Sequence, residues 1–449
     1  MDNVIQFPHT NAPIQPVGQY IRLGETGHNK LGHLLAAGRF PATRVVVDAS
    51  RLRHQKELVA ALRARGAEIV LDTKVAELSA LEKFGGYARH TPWATVGDGK
   101  PLNAGHFDRS SSVDIFGQIA RFAVEHLVDA VLAPTHYVSD PNFAGWFDID
   151  RSSCLALRHA LDFEGGSKIE IDYLLIAPHT ALIDDTSRSN FLNGLVDLPF
   201  ENLWIRASGF GNDSGPLTTR RFINSISGLH NIGKPIVADY LGGMVGESLL
   251  AFGAVSAIAH GIGERERFDA RSWHKPPAEK DEGGGGRTVR VLVPGIDRSV
   301  TRGELELMVK ARGGHKLVAC GNRACCPNGL KDMIEDPRQH AAFQSFARIN
   351  EIASVPDLNR VPHFLKGRLA EADRSARQIK DLKFSLEEAK ERKIDASKLS
   401  KRLEDHSRKL AKMLGSFEDL HESRLDAAPR ARPIAARGKS ELLQRQEKK

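Results

Sequence analysis

Short apolar runs rich in β-branched residues recur along the chain, and segments with helical periodicity, such as 55–67 and 112–129, separate them. The runs cover residues 44–48, 68–72, 130–136, 172–179, 203–209, 235–240, 254–260 and 289–297. Continuous apolar runs of this length are typical of parallel strands that are buried on both faces. Eight strand–helix units predict an α/β protein with a (β/α)8 TIM barrel, because doubly wound sheets seldom contain eight regularly alternating units.

A polar residue lies at or just after the last apolar position of each run. These residues are Asp48, Asp72, His136, His179, Arg206, Asp239, His260 and Asp297. Polar residues also end strands simply because the chain meets water there, and this explains any one of them. Together they favour a functional rim, since barrel enzymes place their active sites at the carboxyl ends of the strands.

The loops after the runs add candidate binding residues. Gly261 and Gly263 follow the run at 254–260 directly, where backbone N–H groups could approach a phosphate or carboxylate, and a helix could begin near Glu264. The long loop at 83–112 is predicted to cover a substrate, and the Gly-rich loop at 274–286 is either a mobile lid or a spacer. The first of these loops carries Tyr87, Arg89, His90 and Trp93.

Residues 320–329 hold three of the four cysteines, and they predict a structural zinc site. Cys320, Cys325 and Cys326 supply three ligands of the four that a tetrahedral site needs, and either His340 or His363 could supply the fourth. A buried thiol cluster or a redox pair is the alternative. The cysteines do not form a disulfide framework, which favours a reducing, cytoplasmic compartment.

The C-terminal third has a different pattern. Apolar residues recur every three or four positions over 365–389 and again over 399–414, which predicts a helical arm that either packs on the barrel or forms a homodimer. The tail from Arg424 has eight Lys or Arg residues against three acids, which is typical of a disordered end or of a contact with nucleic acid.

Composition narrows the class of protein. A net charge of +7, 41% hydrophobic residues and 27% charged residues are ordinary for a globular protein. No apolar run reaches the roughly 18 residues that a membrane span needs, and no signal peptide is visible, so no membrane partner is expected. The predicted organisation is an N-terminal segment over 1–40, the barrel over 41–312, a zinc-binding subdomain over 313–366, the arm over 367–415 and a disordered basic tail over 416–449.

The stretch ACGNRACC at 319–326, with residues 339–369 after it, resembles the zinc subdomain of the tRNA-guanine transglycosylases. That family attaches a Cys-x-Cys-x2-Cys…His site after the last strand of a (β/α)8 barrel. Residues 350–352 match its Asn-Glu-Ile stretch, YLGG at 240–243 is similar to a stretch of its sixth strand, and His363 falls at the position of its ligand histidine. The resemblance implies a structural zinc held by Cys320, Cys325, Cys326 and His363.

The catalytic motifs depart from that family. The cysteine spacing differs, Asp72 lacks the two glycines that follow the family's proton-handling aspartate, and His260 stands near the position of its nucleophilic aspartate. The expected enzyme is a transglycosylase-like transferase that acts on a nucleobase in tRNA or other nucleic acid. Its predicted catalytic residues are Asp72, Asp239 and His260, and its substrate-binding residues are His136, His179, Arg206, Gly261 and Gly263.

Two other classes of function remain open. The first is a barrel enzyme that acts on a small phosphorylated or carboxylated substrate. The second is a non-catalytic relative that binds nucleic acid.

Overall fold

A computed structural model describes residues 14–15, 17–24, 28–40, 42–81, 87–108, 113–140, 142–263, 266–275, 290–424 and 431–437. Eight parallel strands close into a barrel in which each strand pairs with the next along the chain and the last pairs with the first. They are β1 (Gly18–Arg22), β2 (Arg44–Asp48), β3 (Glu68–Asp72), β4 (Ala130–Leu132), β5 (Glu170–Pro178), β6 (Leu203–Ser208), β7 (Ile236–Asp239) and β8 (Ala257–His260). The predicted TIM barrel is confirmed.

Helices follow the barrel strands and continue beyond them. Those of the barrel are α1 (His28–Ala36), α2 (Ala49–Leu52), α3 (Lys56–Ala64), α4 (Val75–Ser79), α5 (Ile115–Glu125), α6 (Trp146–Phe163), α7 (His179–Ile183), α8 (Asp185–Leu195), α9 (Pro216–Ser227) and α10 (Gly243–Ala251). Those after the barrel are α11 (Arg302–Lys310), α12 (Gly314–Val318), α13 (Leu330–Glu335), α14 (Pro337–Ser354), α15 (Asp357–His363), α16 (Ala370–Lys380), α17 (Leu386–Glu391) and α18 (Ala396–Ser423).

Two strand predictions are corrected. The run at 289–297 is not a barrel strand: it belongs to an antiparallel hairpin formed by β9 (Arg290–Val293) and β10 (Arg298–Thr301). The first barrel strand is β1, which lies inside the predicted N-terminal segment, and the last barrel strand ends at His260. The predicted barrel range of 41–312 therefore begins too late and includes the hairpin. The other seven runs are confirmed as barrel strands.

The helical arm packs back onto the barrel. Helix α18 contacts α16 and α9, and Leu399, Leu403 and Leu410 are buried in the same apolar core as the barrel residues. Asp395 caps the helix, because its carboxylate accepts a hydrogen bond from the backbone N–H of Lys398. The prediction that the arm packs on the barrel is confirmed. Dimerisation through the arm stays a prediction, and it would need a surface of the arm other than the one buried against the barrel.

Residues 431–437 lie at the face of the barrel where the strands begin. Residues Ile434–Ala435 pair with Ile14–Gln15, and Ile434 is buried. The guanidinium of Arg437 donates to both carboxylate oxygens of Asp172 at 2.7 and 2.9 Å. The predicted disorder of 416–449 is therefore wrong for 416–424 and 431–437, while the rest of that tail lies outside the described residues. Within the described chain, no helix is long and apolar enough to span a membrane.

Candidate active site and metal centre

The mouth of the barrel is filled by a buried ion network. Arg22 at the end of β1 forms a two-pronged pair with Asp239, with nitrogen–oxygen distances of 2.7 Å, and reaches Asp72 at 2.8 Å. Arg206 on β6 contacts the same two carboxylates at 2.8 Å each. Lys74 lies 3.9 Å from Asp72. The barrel closure brings these residues together, because β1, β3, β6 and β7 all end at this face.

This network holds both of its central carboxylates in hydrogen bonds and favours the ionised form of Asp72. Burial alone would raise the pKa of Asp72, but Lys74, Arg206 and Arg22 together hold it well below its ordinary value. The ring of Tyr240 covers both guanidinium groups at 4.6 and 4.9 Å. The predicted catalytic residues Asp72 and Asp239 thus lie side by side, with no carboxylate oxygen turned toward open space in the described structure.

Beside the network, a cavity of about 530 Å³ opens at the rim. Its walls come from β8 and the loop after it, the loop after β6, α10, the β9–β10 hairpin, α14 and α18. The polar lining residues are Asn212, Asp213, Glu247, His260, Glu266, Arg290, Asp297, Arg298, Ser299, Ser345, Arg348, Asp405, His406 and Lys409. The cavity has the size of a small-molecule site and lies at the face where barrel enzymes react.

Glu266 and His260 both pack against Gly242 at one side of this cavity. A Cβ atom at Gly242 would lie 3.1 Å from Cγ of both side chains, so a glycine is what lets them approach. Burial, and then the charge of Asp297, raises the pKa of Glu266 to about 8. The Asn212 amide donates a hydrogen bond to this carboxyl group. Glu266 is therefore protonated at neutral pH.

His260 stays neutral beside it. Burial lowers its pKa, and its Nδ1 lies 2.6 Å from the carbonyl oxygen of Gly261. A carbonyl only accepts, so Nδ1 carries the proton and Nε2 has the lone pair. Nε2 lies 2.9 Å from Nε2 of Gln19 and 3.3 Å from the hydroxyl of Ser345. A protonated carboxyl and a neutral imidazole nitrogen thus line one cavity.

The floor of the cavity is held by ion pairs. Arg348 lies 3.3 Å from both Glu247 and Asp297, and Arg368 donates to Glu247 at 2.8 Å. Asp297 also accepts a hydrogen bond from the backbone N–H of Met244 at 2.5 Å. Although burial opposes it, the Arg348 and Arg368 charges keep the pKa of Asp297 low. These acids act as counter-ions for the arginines.

The other predicted binding residues lie apart. His136 is buried. Its Nδ1 lies 2.6 Å from the carboxylate of Asp150 and its ring stacks on Trp146, so it supports the core. His179 contacts the carbonyl of Ser208 at 3.1 Å. The structure places Arg206 in the ion network, Gly261 against His260, and only Gly263 of the two glycines in the cavity lining. The helix expected near Glu264 is wrong for the described residues, because Arg267–Phe268 form a short strand and Ala270–His274 a 3₁₀ helix; residues 264–265 lie outside the described ones.

The long loop contributes packing. Trp93 is fully buried, and its indole N–H donates to the carbonyl of Thr73 at 3.0 Å. Tyr87 lies at the surface, where its ring packs against Arg51. The loop was predicted to cover a substrate, but none of its described residues lines the cavity.

The cysteines form a compact Cys3His cluster that could hold a metal ion. The ligand atoms of Cys320, Cys325, Cys326 and His340 all lie within 4.8 Å of one another. Nδ1 of His340 is 3.3 Å from the sulfur atoms of Cys325 and Cys326. Tetrahedral ligands about 2.0–2.3 Å from a zinc ion lie roughly 3.5–3.8 Å apart, so the cluster is close to the required size.

His340, and not His363, completes this cluster. The imidazole of His363 is partly exposed and pairs with Glu351 at 2.8 Å, on the surface of the next helix. Nε2 of His340 faces the carbonyl of Leu292 on β9 at 3.1 Å, which leaves Nδ1 for the thiols. The assignment of His363 as ligand is corrected.

The sequence analysis did not identify several residues of the candidate site. Arg22 was hidden because its strand is too polar to be recognised, and Lys74 follows a strand rather than ending it. Glu266 lies in GIGERERF and was visible only as an acid near a glycine pair. Its elevated pKa depends on long-range burial, which no local pattern records.

Comparisons with known proteins give similarities to solved structures only. No family model matches the chain, and no curated protein matches it. Among solved structures, the chain is similar to the crystal structure of KGPDC from Streptococcus mutans. The TM-score is 0.32 and the identity 18%, over 58% of this chain and 94% of that one.

Proposed function

We propose that this protein is an enzyme that carries out acid–base chemistry on a small polar substrate in the rim cavity. The observation that carries the proposal is the meeting of Glu266 and His260 in one cavity at the carboxyl ends of the barrel strands. Their environments push their pKa values in opposite directions, which is how enzymes obtain an acid and a base at the same pH.

Each group has a defined role in this proposal. The protonated carboxyl of Glu266 donates a proton to a substrate oxygen or nitrogen. Nε2 of His260 accepts a proton after Gln19 shifts its amide aside, and the Nδ1 hydrogen bond to Gly261 keeps the ring in the required tautomer. The ion network of Arg22, Asp72, Arg206 and Asp239 braces the ends of β1 and β7, the two strands that pair with β8 and flank His260.

Substrate screening followed by two variants tests the proposal. Sugar phosphates, hydroxy acids and free nucleobases are incubated with the full chain, and turnover is followed by NMR. We expect Glu266→Gln to reduce kcat for any converted compound by about 10²–10⁴-fold, the usual contribution of a general acid. The exposed Glu418→Gln is the matched control. Unchanged turnover in Glu266→Gln overturns the assignment.

We also propose that the Cys3His cluster binds a structural zinc ion through Cys320, Cys325, Cys326 and His340. Four protein ligands leave no open coordination position, so the ion would crosslink the cysteine turn to α14 rather than take part in a reaction. Metal analysis of the reduced protein is expected to find about one zinc per chain, lost in His340→Ala and kept in His363→Ala. The reverse result would restore His363 as the ligand.

A second candidate is the transglycosylase-like reaction on a nucleobase in tRNA or other nucleic acid. The position of the Cys3His cluster after the barrel in the chain favours it. Its nucleophile would be Asp72 or Asp239, and that carboxylate would first have to leave the two arginines. Incorporation of labelled guanine into tRNA tests it. Incorporation that is lost in Asp239→Asn, folded by circular dichroism, but kept in Glu266→Gln would replace the first candidate with the second.

A further inference from the structure

Three of the four Lys or Arg side chains that line the rim cavity form no ion pair with a carboxylate of the described residues. Arg348 is paired with Glu247 and Asp297, and Asp213 is held by Arg267 outside the cavity. Asp405 is exposed and lies 3.5 Å from Arg408. Once these pairs are set aside, Arg298, Lys409 and the exposed Arg290 remain on one wall. In the described parts of the chain, none of the three forms an ion pair with a carboxylate.

Two of these cations are held partly out of water. Arg298, on β10, and Lys409, on α18, are both half-buried. The one hydrogen bond of the Lys409 ammonium joins it to the carbonyl of Asn212 at 3.0 Å. Burial lowers the pKa of Lys409 although the charges of Asp297 and Asp213 oppose this shift. Burial and the charge of Arg402 lower the pKa of Arg298 although the charge of Glu304 opposes this shift. Cations so placed are expensive unless an anion joins them.

The cations and the acid lie on different walls of the same cavity. Arg298 and Lys409 come from β10 and α18, whereas Glu266 and His260 lie against the loop after β7. A single small molecule in about 530 Å³ can contact both walls. One end of the ligand would therefore carry negative charge, and the other end a group that accepts a proton from Glu266.

We propose that Arg298 and Lys409 bind the phosphate group of a small phosphorylated substrate, with Arg290 at the entrance. This inference rests on the proposed function for the identity of the anion as part of a substrate. Two cations match the two charges of a phosphate monoester, whereas one carboxylate would leave a charge uncompensated. The planar guanidinium of Arg298 can also donate two parallel hydrogen bonds to phosphate oxygens.

The anion site differs from the one that the glycine pair predicted. Gly263 lines the cavity beside His260, whereas Gly261 does not line it and its carbonyl oxygen accepts a hydrogen bond from the His260 ring. The cationic wall comes from the hairpin and α18, both of which follow the barrel in sequence. The C-terminal extension would thus determine which substrates the barrel accepts.

Calorimetric titration of the full chain with inorganic phosphate tests the site, with acetate at equal ionic strength as the comparison anion. We expect phosphate to bind more tightly than acetate, and Arg298→Gln and Lys409→Met each to weaken phosphate binding at least tenfold. Arg408→Gln, on the exposed side of α18, should change binding less than twofold. Phosphate binding that is absent, no tighter than acetate binding, or equal in all variants overturns the inference.

Two further measurements distinguish the phosphate site from a structural role of Arg298 and from the proposed acid–base function. Without phosphate, Arg298→Gln should be at least as heat-stable as the unaltered protein, because a cation without a counter-ion is removed; a large drop in Tm would mean a structural role. Turnover of unphosphorylated compounds that depends on Glu266 would remove the phosphate site and keep the proposed function. Phosphate binding that needs Arg298, combined with full turnover in Glu266→Gln, would keep the phosphate site and remove the proposed function.

Discussion

At the scale of single residues, Glu266 shows how the fold changes the chemistry of a side chain. In an unfolded chain its pKa is near 4.5, whereas burial raises it to about 8 in the folded protein. The folded state therefore binds more protons than the unfolded state between these two values. The stabilisation from the protonated carboxyl is complete below pH 4.5, and it is lost as pH rises through about 8.

Glu266→Gln should remove this pH dependence. Chemical denaturation at several pH values between 5 and 8 would show a free energy of unfolding that falls by up to about 1.4 kcal/mol per pH unit through this one group. The glutamine variant should lack that component and be the more stable of the two at pH 8. Equal slopes in both proteins would mean that Glu266 titrates normally, which would also remove the acid from the proposed function.

At the scale of structural elements, ion pairs of Arg437 anchor residues 431–437, a segment called here the clamp, to the base of the barrel. Arg437 is nearly buried among Asp172, Glu68 and Glu170. Removal of one partner from such a cluster leaves uncompensated charge, with a typical cost of about 3–5 kcal/mol. We expect Arg437→Ala to lower the free energy of unfolding by an amount of this order.

Arg432→Ala is the matched control for this clamp. It lies in the same short segment but is exposed, and surface changes of this kind usually alter stability by less than about 0.5 kcal/mol. Urea denaturation of both variants measures the difference. If both variants lost equal and small amounts of stability, the segment would not be anchored by Arg437.

The same scale explains what the sequence could and could not predict. Seven strands were visible because each is a short apolar run, whereas GQYIR in β1 places Gln19 and Arg22 among only a few apolar residues. The hairpin run VRVLV has the composition of a buried strand, and nothing local reveals that it pairs with β10 instead of β8. The choice between His340 and His363 likewise depended on tertiary packing.

At the scale of the whole molecule, the extension after the barrel closes both of its ends. The hairpin and α14 cover the mouth, α18 packs along α9, and residues 431–437 lie at the base. The buried apolar residues of α14, α16 and α18 share one core with those of the barrel helices. The chain is therefore one packed unit rather than a barrel with independent appendages.

Because the chain packs as one unit, we can predict how it would respond to removal of the metal ion proposed for the Cys3His cluster. Helix α14 carries His340 at one end of the cluster and Ser345 and Arg348 in the cavity wall, so a loosened cluster should weaken the barrel mouth. We expect a chelator to lower the Tm of a single cooperative transition, with far-UV and near-UV circular dichroism shifting together. His340→Ala should reproduce the lower Tm and be insensitive to the chelator, whereas His363→Ala should behave like the unaltered protein. Two separate transitions, of which only the smaller one responds to chelation, would instead mean that the Cys3His region folds as a domain of its own.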